Sequence, residues 1–348
     1  MRGKSRRALM ACAAAAALVA VSCNDDSSGP GPDASARVAG DKPAPEPKCL
    51  SGIEAPGGVD PARPAVALKI ENSPSARPQS GLENADVVFE ERVEGGITRF
   101  LAVYHCGDSS HAGPVRSARF DDPKIAKPLT RVLVASGSNA IVEREVRKQK
   151  MAYLDEQSVP HGALFRDPPG STDIHSLFAN TKRLRKPALA KNLGAPNQNI
   201  FRFGEVARKA KRARVVRIFF TESNTIEFRW KRGSWKRSEG GTRFVTARGV
   251  QIAVPNVLVQ QVRVDDSKSI ADSAGFPSPD IRLENSKGKA VLFRDGKAIR
   301  ATWKMGAVGD APVYKTVAGD PLLFARGPIW VELVPSPAGE VKGRFDFR

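Results

Sequence analysis

The chain has 348 residues, 26% charged and 41% hydrophobic, with 55 Lys and Arg against 37 Asp and Glu for a formal charge of +18. That length and apolar share exclude a short disulfide-knit module and a wholly disordered chain, and leave room for two ordinary domains. The basic charge comes with no helix-turn-helix signal and no metal-finger spacing, so composition gives no case for a nucleic-acid partner.

Residues 1–22 carry the parts of a secretory signal in order: Arg2, Lys4, Arg6 and Arg7, an apolar run from Ala8 to Val21, and Ala20-Val21-Ser22 before Cys23. The apolar run is short for a membrane span, which needs about 20 residues. A cysteine after Val-Ser predicts a lipobox with Cys23 acylated, although Ala20 stands where Leu is usual and plain secretion is the rival reading. Two or three acyl chains hold a protein on a bilayer where one does not. Residues 23–48 are the acylated cysteine and a tether of Asp, Ser, Gly, Pro and Ala, too polar to offset the entropy of ordering. The expected location is the extracytoplasmic face of the cell membrane, by lipid anchor.

Removing the four cations of the signal leaves +14 of the +18. The anionic neighbours of such a body outside the cell are lipid headgroups and phosphate-bearing wall polymers; nucleic acid is in the wrong compartment. Cys12 leaves with the signal and Cys23 takes the lipid, so Cys49 and Cys106 remain as an even pair, open either to a disulfide or to two free thiols.

Two bodies follow. In the first, residues 49–200, short apolar runs predict strands at Pro64–Ile70, Asp86–Glu90, Arg99–His105 and Arg131–Ala135. Helical spacing predicts helices over Ala140–Lys150 and His175–Lys186, the second capped by Thr172 or Asp173. Residues 201–214 form a connector and close a basic stretch from Lys182 to Arg214, read as a solvated helix or linker or as a contact for anionic lipid or polymer. In the second body, residues 215–345, strands are predicted at Val215–Phe220, Thr225–Trp230, Gly233–Arg237, Val257–Val264, Lys289–Arg294, Ile299–Lys304 and Pro328–Val334. Arg294-Asp295-Gly296-Lys297 reads as a hairpin turn. The fold class is α+β: a layered α/β-type N-terminal domain, then a mainly antiparallel β domain forming a sheet or small barrel, with Phe293, Trp303 and Trp330 in its core.

Polar residues gather in the first body, at the mouths of its apolar strands, where open sheets place ligands. Glu90 and Glu94 offer two carboxylates for glycan cleavage, or ion-pair partners for Arg99, Arg116 or Arg119. Arg116 and Arg119 suit a phosphate or carboxylate ligand, since guanidinium is a rigid donor fork. Ser117 lacks a Gly-x-Ser-x-Gly elbow, and His105, His111, His161 and His175 lack an assigned orienting group. No His-Glu-x-x-His pattern exists, so neither a metal nor a cofactor is implied.

Arg63–Asn72, Ala76–Leu82, Ala85–Glu90, Gly95–Phe100 and Gly113–Arg119, in that order, resemble the YerB-like family of bacterial lipoproteins, whose domains have no settled activity. Trp235-Lys236-Arg237, Asn256–Gln260 and Gly327–Leu333 resemble its C-terminal domain, with Trp235 where tyrosine is usual. The resemblance implies a lipoprotein and carries no catalytic residues. It marks Glu71, Asn72, Arg77, Glu90, Thr98, Arg99, Arg116, Ser117 and Arg119, with Glu94, as pocket candidates. The expected function is binding or scaffolding of wall material or an envelope protein. The rivals are a wall hydrolase or transferase using Glu90 or Glu94 with Arg116 and Arg119, and a small-anion receptor in which Arg116 and Arg119 converge on a concave pocket.

Overall fold

The computed structural model describes residues 48–206, 210–222, 224–272 and 275–348. Cys23 and its predicted lipid, most of the tether, and Arg208 and Lys209 of the basic stretch lie outside the described residues. Glu46–Arg348 forms one compact unit.

The N-terminal half mixes strands and helices. β1 (Val66–Glu71), β2 (Val87–Arg92) and β3 (Thr98–Tyr104) are apolar and β-branched, and pair antiparallel in the order β2-β3-β1. After the short helix α1 (Asp122–Ala126), β4 (Val132–Val134) adds to β1 in parallel. The helix α2 (Ala140–Lys148) starts at Asn139, whose side chain accepts from the backbone N–H groups of Ile141 and Val142, and β5 (Ala152–Leu154) then pairs in parallel with β4. The helix predicted over 175–186 begins later. Leu177–Ala179 instead pairs with Leu164–Arg166, burying Leu177 and Ala179, and Asn180 rather than Thr172 or Asp173 caps α3 (Thr181–Ala190) by accepting from the N–H of Arg183. Arg185, within the basic stretch, is no surface residue: its guanidinium donates to Asp108 and to the carbonyls of Pro64, Tyr104, His105 and Gly107.

The C-terminal half is predominantly antiparallel sheet. β6 (Val215–Phe219), β7 (Thr225–Lys231) and β8 (Ser234–Glu239) form a meander. β9 (Asn256–Ser267), β10 (Ser286–Arg294), β11 (Lys297–Met305) and β12 (Val313–Thr316) continue antiparallel, with Asp295 and Gly296 both at positive φ in the predicted hairpin turn. β13 (Ile329–Pro335) is parallel to both β9 and β2, so strands of both halves lie in one twelve-stranded sheet, ten of them in the order β12-β11-β10-β9-β13-β2-β3-β1-β4-β5, with Ser278–Arg282 paired to β9 and Lys211–Arg212 to β11 off that path. β14 (Arg344–Phe347) closes the small sheet beside β6. Among the described residues neither of these two sheets closes into a barrel.

Strand alternation sorts the core into two layers. Val66, Leu68, Ile70, Val88, Phe100, Trp330 and Phe293 point toward the small sheet, against Ile218, Phe228 and Trp235. Ala67, Val87, Phe89, Leu101 and Trp303 point the other way, where Ile125, Val142 and Val146 of α1 and α2 cover the N-terminal strands. The three aromatic side chains predicted as core are buried. Cys49 and Cys106 are disulfide-bonded, their Cα atoms 5.6 Å apart.

A candidate anion site and two buried charge clusters

The central strands end in a polar patch on each face of the main sheet. Glu90 and Glu91 are neighbours on β2, so the pleat sends them to opposite faces.

On the face toward the small sheet, Glu90 is fully buried. It accepts from Arg237 at 2.9 Å, from the hydroxyl of Thr98 at 2.7 Å and from Asn72 at 3.3 Å. Arg237 rises from β8, donates to Glu239 at 2.8 Å, and lies 4.0 Å from the centre of the Phe244 ring. Arg77 also donates to Glu239. Glu332 of β13 stands opposite Glu90 in the parallel pair, and neither of its oxygens meets a donor among the described residues. Burial, then the charge of Glu90, pushes the Glu332 carboxyl well above its ordinary value. Burial raises Glu90 as well, Arg237 opposing and Glu239 adding. Burial works against Glu239 too, but Arg237 and Arg77 hold it low. With two cations among three carboxylates, the cluster is balanced when Glu332 keeps its proton, which it then has available to donate to Glu90. Asn72, Arg77 and Glu239 line a cavity of about 310 Å³ beside this cluster.

On the opposite face Lys69 is fully buried between Glu91 and Asp122, donating to Asp122 at 2.7 Å and also to Glu91. One ammonium serves two carboxylates. Burial pushes Glu91 up to about 8 despite Lys69, with the charges of Asp122 and Asp121 adding.

The open site lies on this same face. Arg99, Arg116, Ser117 and Arg119 line a cavity of about 420 Å³, together with Glu94, Asn139 and Ser278. Arg99 comes from β3. Arg116 and Arg119 come from the segment after cis Gly113-Pro114, held on β1 by hydrogen bonds of Glu71 N–H to Pro114 O and of Arg116 N–H to Lys69 O, both 3.0 Å. Glu71, buried at the end of β1, accepts from the Nε atoms of Arg116 and, at 3.5 Å, Arg99. Burial opposes its charge, yet Arg99 and Arg116 together hold its carboxyl below the usual range. Glu94 sits at the rim, on a turn whose Gly95 and Gly96 both take positive φ; it accepts from Arg119 Nε at 2.6 Å and from Ser278. Arg99 is destabilised as a cation first by burial, then by the charge of Arg119, with Arg116 adding and Glu71 and Glu94 opposing. Three guanidiniums therefore converge on a water-accessible cavity, with Glu71 beneath them and Glu94 and Asp272 in the lining.

Of the predicted pocket residues, Glu94, Arg99, Arg116, Ser117 and Arg119 line this cavity and Glu71 supports it from beneath. Asn72, Arg77, Glu90 and Thr98 belong to the cluster across the sheet. Sequence reading did not single out Lys69, Asp122, Glu239 or Glu332 as functional, took Glu91 only as part of the polar run beginning at Glu90, and quoted Arg237 only in a predicted strand and in the family resemblance. The signal was present for two of them: Lys69 interrupts an apolar strand, and Glu332 falls inside Trp330–Val334. His111 contacts Ser80 Oγ at 3.2 Å and Asp167 at 2.9 Å, a hydroxyl–imidazole–carboxylate series that spacing in the chain gave no means of pairing. Cys49, Asp86 and Cys106 cluster at metal-ligand distances. The disulfide ties up both sulfurs, and Asp86 accepts from Ser51 and from three backbone N–H groups, those of His105, Cys106 and Gly107.

The fold defines a protein of two packed sheets, the larger carrying an arginine-lined cavity on one face and a buried carboxylate cluster on the other. Residues 50–194 match the N-terminal domain, and residues 216–331 the C-terminal domain, of the family described as protein of unknown function DUF3048. The chain is 30% identical over 296 residues to "Putative lipoprotein YerB" of Bacillus subtilis (strain 168), covering 82% of this chain and 85% of that protein. A crystal structure of the Bacillus subtilis YerB protein superposes with a TM-score of 0.71 at 26% identity, covering 86% of this chain and 99% of that one. The chain belongs to this YerB-like DUF3048 family.

Proposed function

We propose that this protein is a membrane-tethered lipoprotein of the cell envelope, anchored through Cys23, whose folded unit captures an anionic group in the Arg99–Arg116–Arg119 cavity. The observation that carries the reading is the convergence of three guanidiniums on one water-accessible cavity, above Glu71 and beside Glu94 and Asp272. The likeness to a protein named as a lipoprotein and the signal-like residues 1–23 support the location. A phosphate or carboxylate group entering the cavity meets planar donor forks already oriented by Glu71 and by the carbonyl of Ser117, which accepts from Arg99 and Arg119 at 3.2 Å. Wall polymers and envelope proteins both display such groups. Glycan cleavage by paired carboxylates is less well supported, because Glu90 is sealed on the far side of the sheet from Arg116 and Arg119.

The test is calorimetric titration of the full chain with inorganic phosphate, a phosphomonoester and acetate, beside an Arg116→Ala/Arg119→Ala variant of unchanged thermal stability. Binding that falls at least tenfold in the variant is expected, each lost charge-assisted contact costing about 1.5–3 kcal/mol. Equal binding by the two proteins, or none by either, would sink the assignment.

A further inference from the structure

A larger open depression than the arginine cavity lies elsewhere, and the Arg-cavity reading does not involve it. It is a trough of about 650 Å³ across β10, β11 and β12, lined by Lys287, Lys289, Thr302, Lys304, Val313 and Lys315 above the buried Trp303. Sheet geometry puts all six on one face. Lys287 is directly opposite Lys304, Thr302 lies between Lys289 and Lys315, and Lys304 is opposite Val313. None of the four ammonium groups has a carboxylate partner among the described residues.

Two features separate this trough from an ordinary solvated face. Like charges directly opposite on neighbouring strands cost stability, and here Lys287 and Lys304 are such a pair, Lys304 lying on a strand paired on both sides. Lysines that merely guard a sheet edge are needed only on strands with an unpaired side, and Lys304 of β11 is paired on both. The second feature is spacing. Same-face residues recur every 6.6–6.8 Å along a strand, roughly, and face each other across strands at about 5 Å. A linear phosphodiester polymer with a three-carbon spacer has six backbone bonds per repeat; by the bond lengths that carry a peptide about 3.5 Å over three bonds, its charges recur about every 7 Å.

We propose that the trough is a binding site for a linear polyanion of phosphodiester repeats, the lysines of β10, β11 and β12 each meeting successive phosphates. A concave trough holds a chain along its length, whereas a flat bilayer would touch only its rims. Each lysine displaces counterions from the polymer, so affinity depends steeply on salt.

The experiment uses the full chain in neutral detergent, with a synthetic glycerol-phosphate oligomer of about ten repeats as probe, titrated across salt concentration. Three variants accompany it: Lys287→Gln/Lys289→Gln/Lys304→Gln/Lys315→Gln, a control removing four cations elsewhere (Arg147→Gln/Lys148→Gln/Lys150→Gln/Lys191→Gln), and Arg116→Ala/Arg119→Ala. The trough variant should bind at least tenfold more weakly, with a salt slope shallower by about 3, from 0.7 for each of four contacts. The control should lose less than threefold and the arginine variant should retain binding. Equal loss in trough variant and control would show a net-charge effect and overturn the proposal. So would loss confined to the arginine variant, or binding of vesicles rich in anionic lipid with no binding of the oligomer. A trough variant whose melting temperature falls is replaced by the two doubles, Lys287→Gln/Lys304→Gln and Lys289→Gln/Lys315→Gln, which should each lose about half of the slope change.

Discussion

Arg237→Met tests the buried cluster beneath the small sheet. The substitution keeps much of the apolar volume against Phe244 and Trp330 but removes the cation that Glu90 and Glu239 share. Breaking a buried ion pair from one side costs about 3–5 kcal/mol, because the abandoned charge stays desolvated. At roughly 2–3 °C per kcal/mol for a chain of this size, the melting temperature should fall by about 6–15 °C. The pH dependence makes the test specific. Glu90 and Glu332 both have folded-state values raised above 4.5, so each contributes stability below that value and loses it as pH rises through the folded value. Without Arg237 all three carboxylates titrate still higher. The deficit of the variant should therefore be smallest near pH 4 and widen toward pH 8.

The assay is guanidinium unfolding at several pH values followed by tryptophan fluorescence, since Trp235 and Trp330 are buried on this same layer. Glu332→Gln supplies the internal check. A neutral amide replaces a carboxyl that the fold already holds neutral, so it should leave stability within about 1 kcal/mol of wild type at pH 5 and raise it at pH 8. A pH-independent deficit in Arg237→Met, or one below about 1 kcal/mol, would refute the account of Arg237 as the cluster's counter-charge.

Three further expectations follow from the structure. Glu91 sits at about 8 in the fold, so the stability its protonated form contributes is full below 4.5 and is lost as pH rises from there to about 8; Glu91→Gln should flatten the stability curve across that window, measured by thermal melts. Reducing the Cys49–Cys106 bond, which spans 57 residues, should lower unfolding free energy by about 4 kcal/mol on chain entropy, and a change below about 1 kcal/mol in denaturant titrations with and without reductant would contradict this. Asn180→Ala removes the cap of α3 and should cost about 1 kcal/mol, read in the same titrations.

The apolar strands were the most legible part of the fold. Val66–Glu71, Thr98–Tyr104 and Ile329–Pro335 were read to within a residue or two because their runs are unbroken, and the Asp295-Gly296 turn because only a few residue types accept its backbone. The start of α3 was misplaced because Leu177–Ala179 is short enough to join either element; pairing with Leu164–Arg166, a tertiary fact, decided it. The arginines of the open cavity were legible as a cluster since Arg116 and Arg119 are three residues apart. Their meeting with Arg99 needed the register of β3 on β1, where Arg99 faces Glu71.

Alternation itself carried more information than a list of polar residues. Once 87–92 is a strand, Glu90 and Glu91 must point to opposite faces, so no single pocket can use both. Following that parity through the registers of the partner strands separates the polar residues. Glu90 and Glu332 fall on the small-sheet face, where β8 sends Trp235, Arg237 and Glu239 inward together. Lys69, Glu71, Glu91 and Arg99 fall on the other face, beside α1 and the Arg116–Arg119 segment. In the sheet, Glu90 therefore lies on the opposite face from Arg116 and Arg119, which reach Glu71 and Glu94. What parity does not supply is which strands from distant parts of the chain lie side by side, and that is why Glu332, some 240 residues from Glu90, had to be found in the sheet rather than in the sequence.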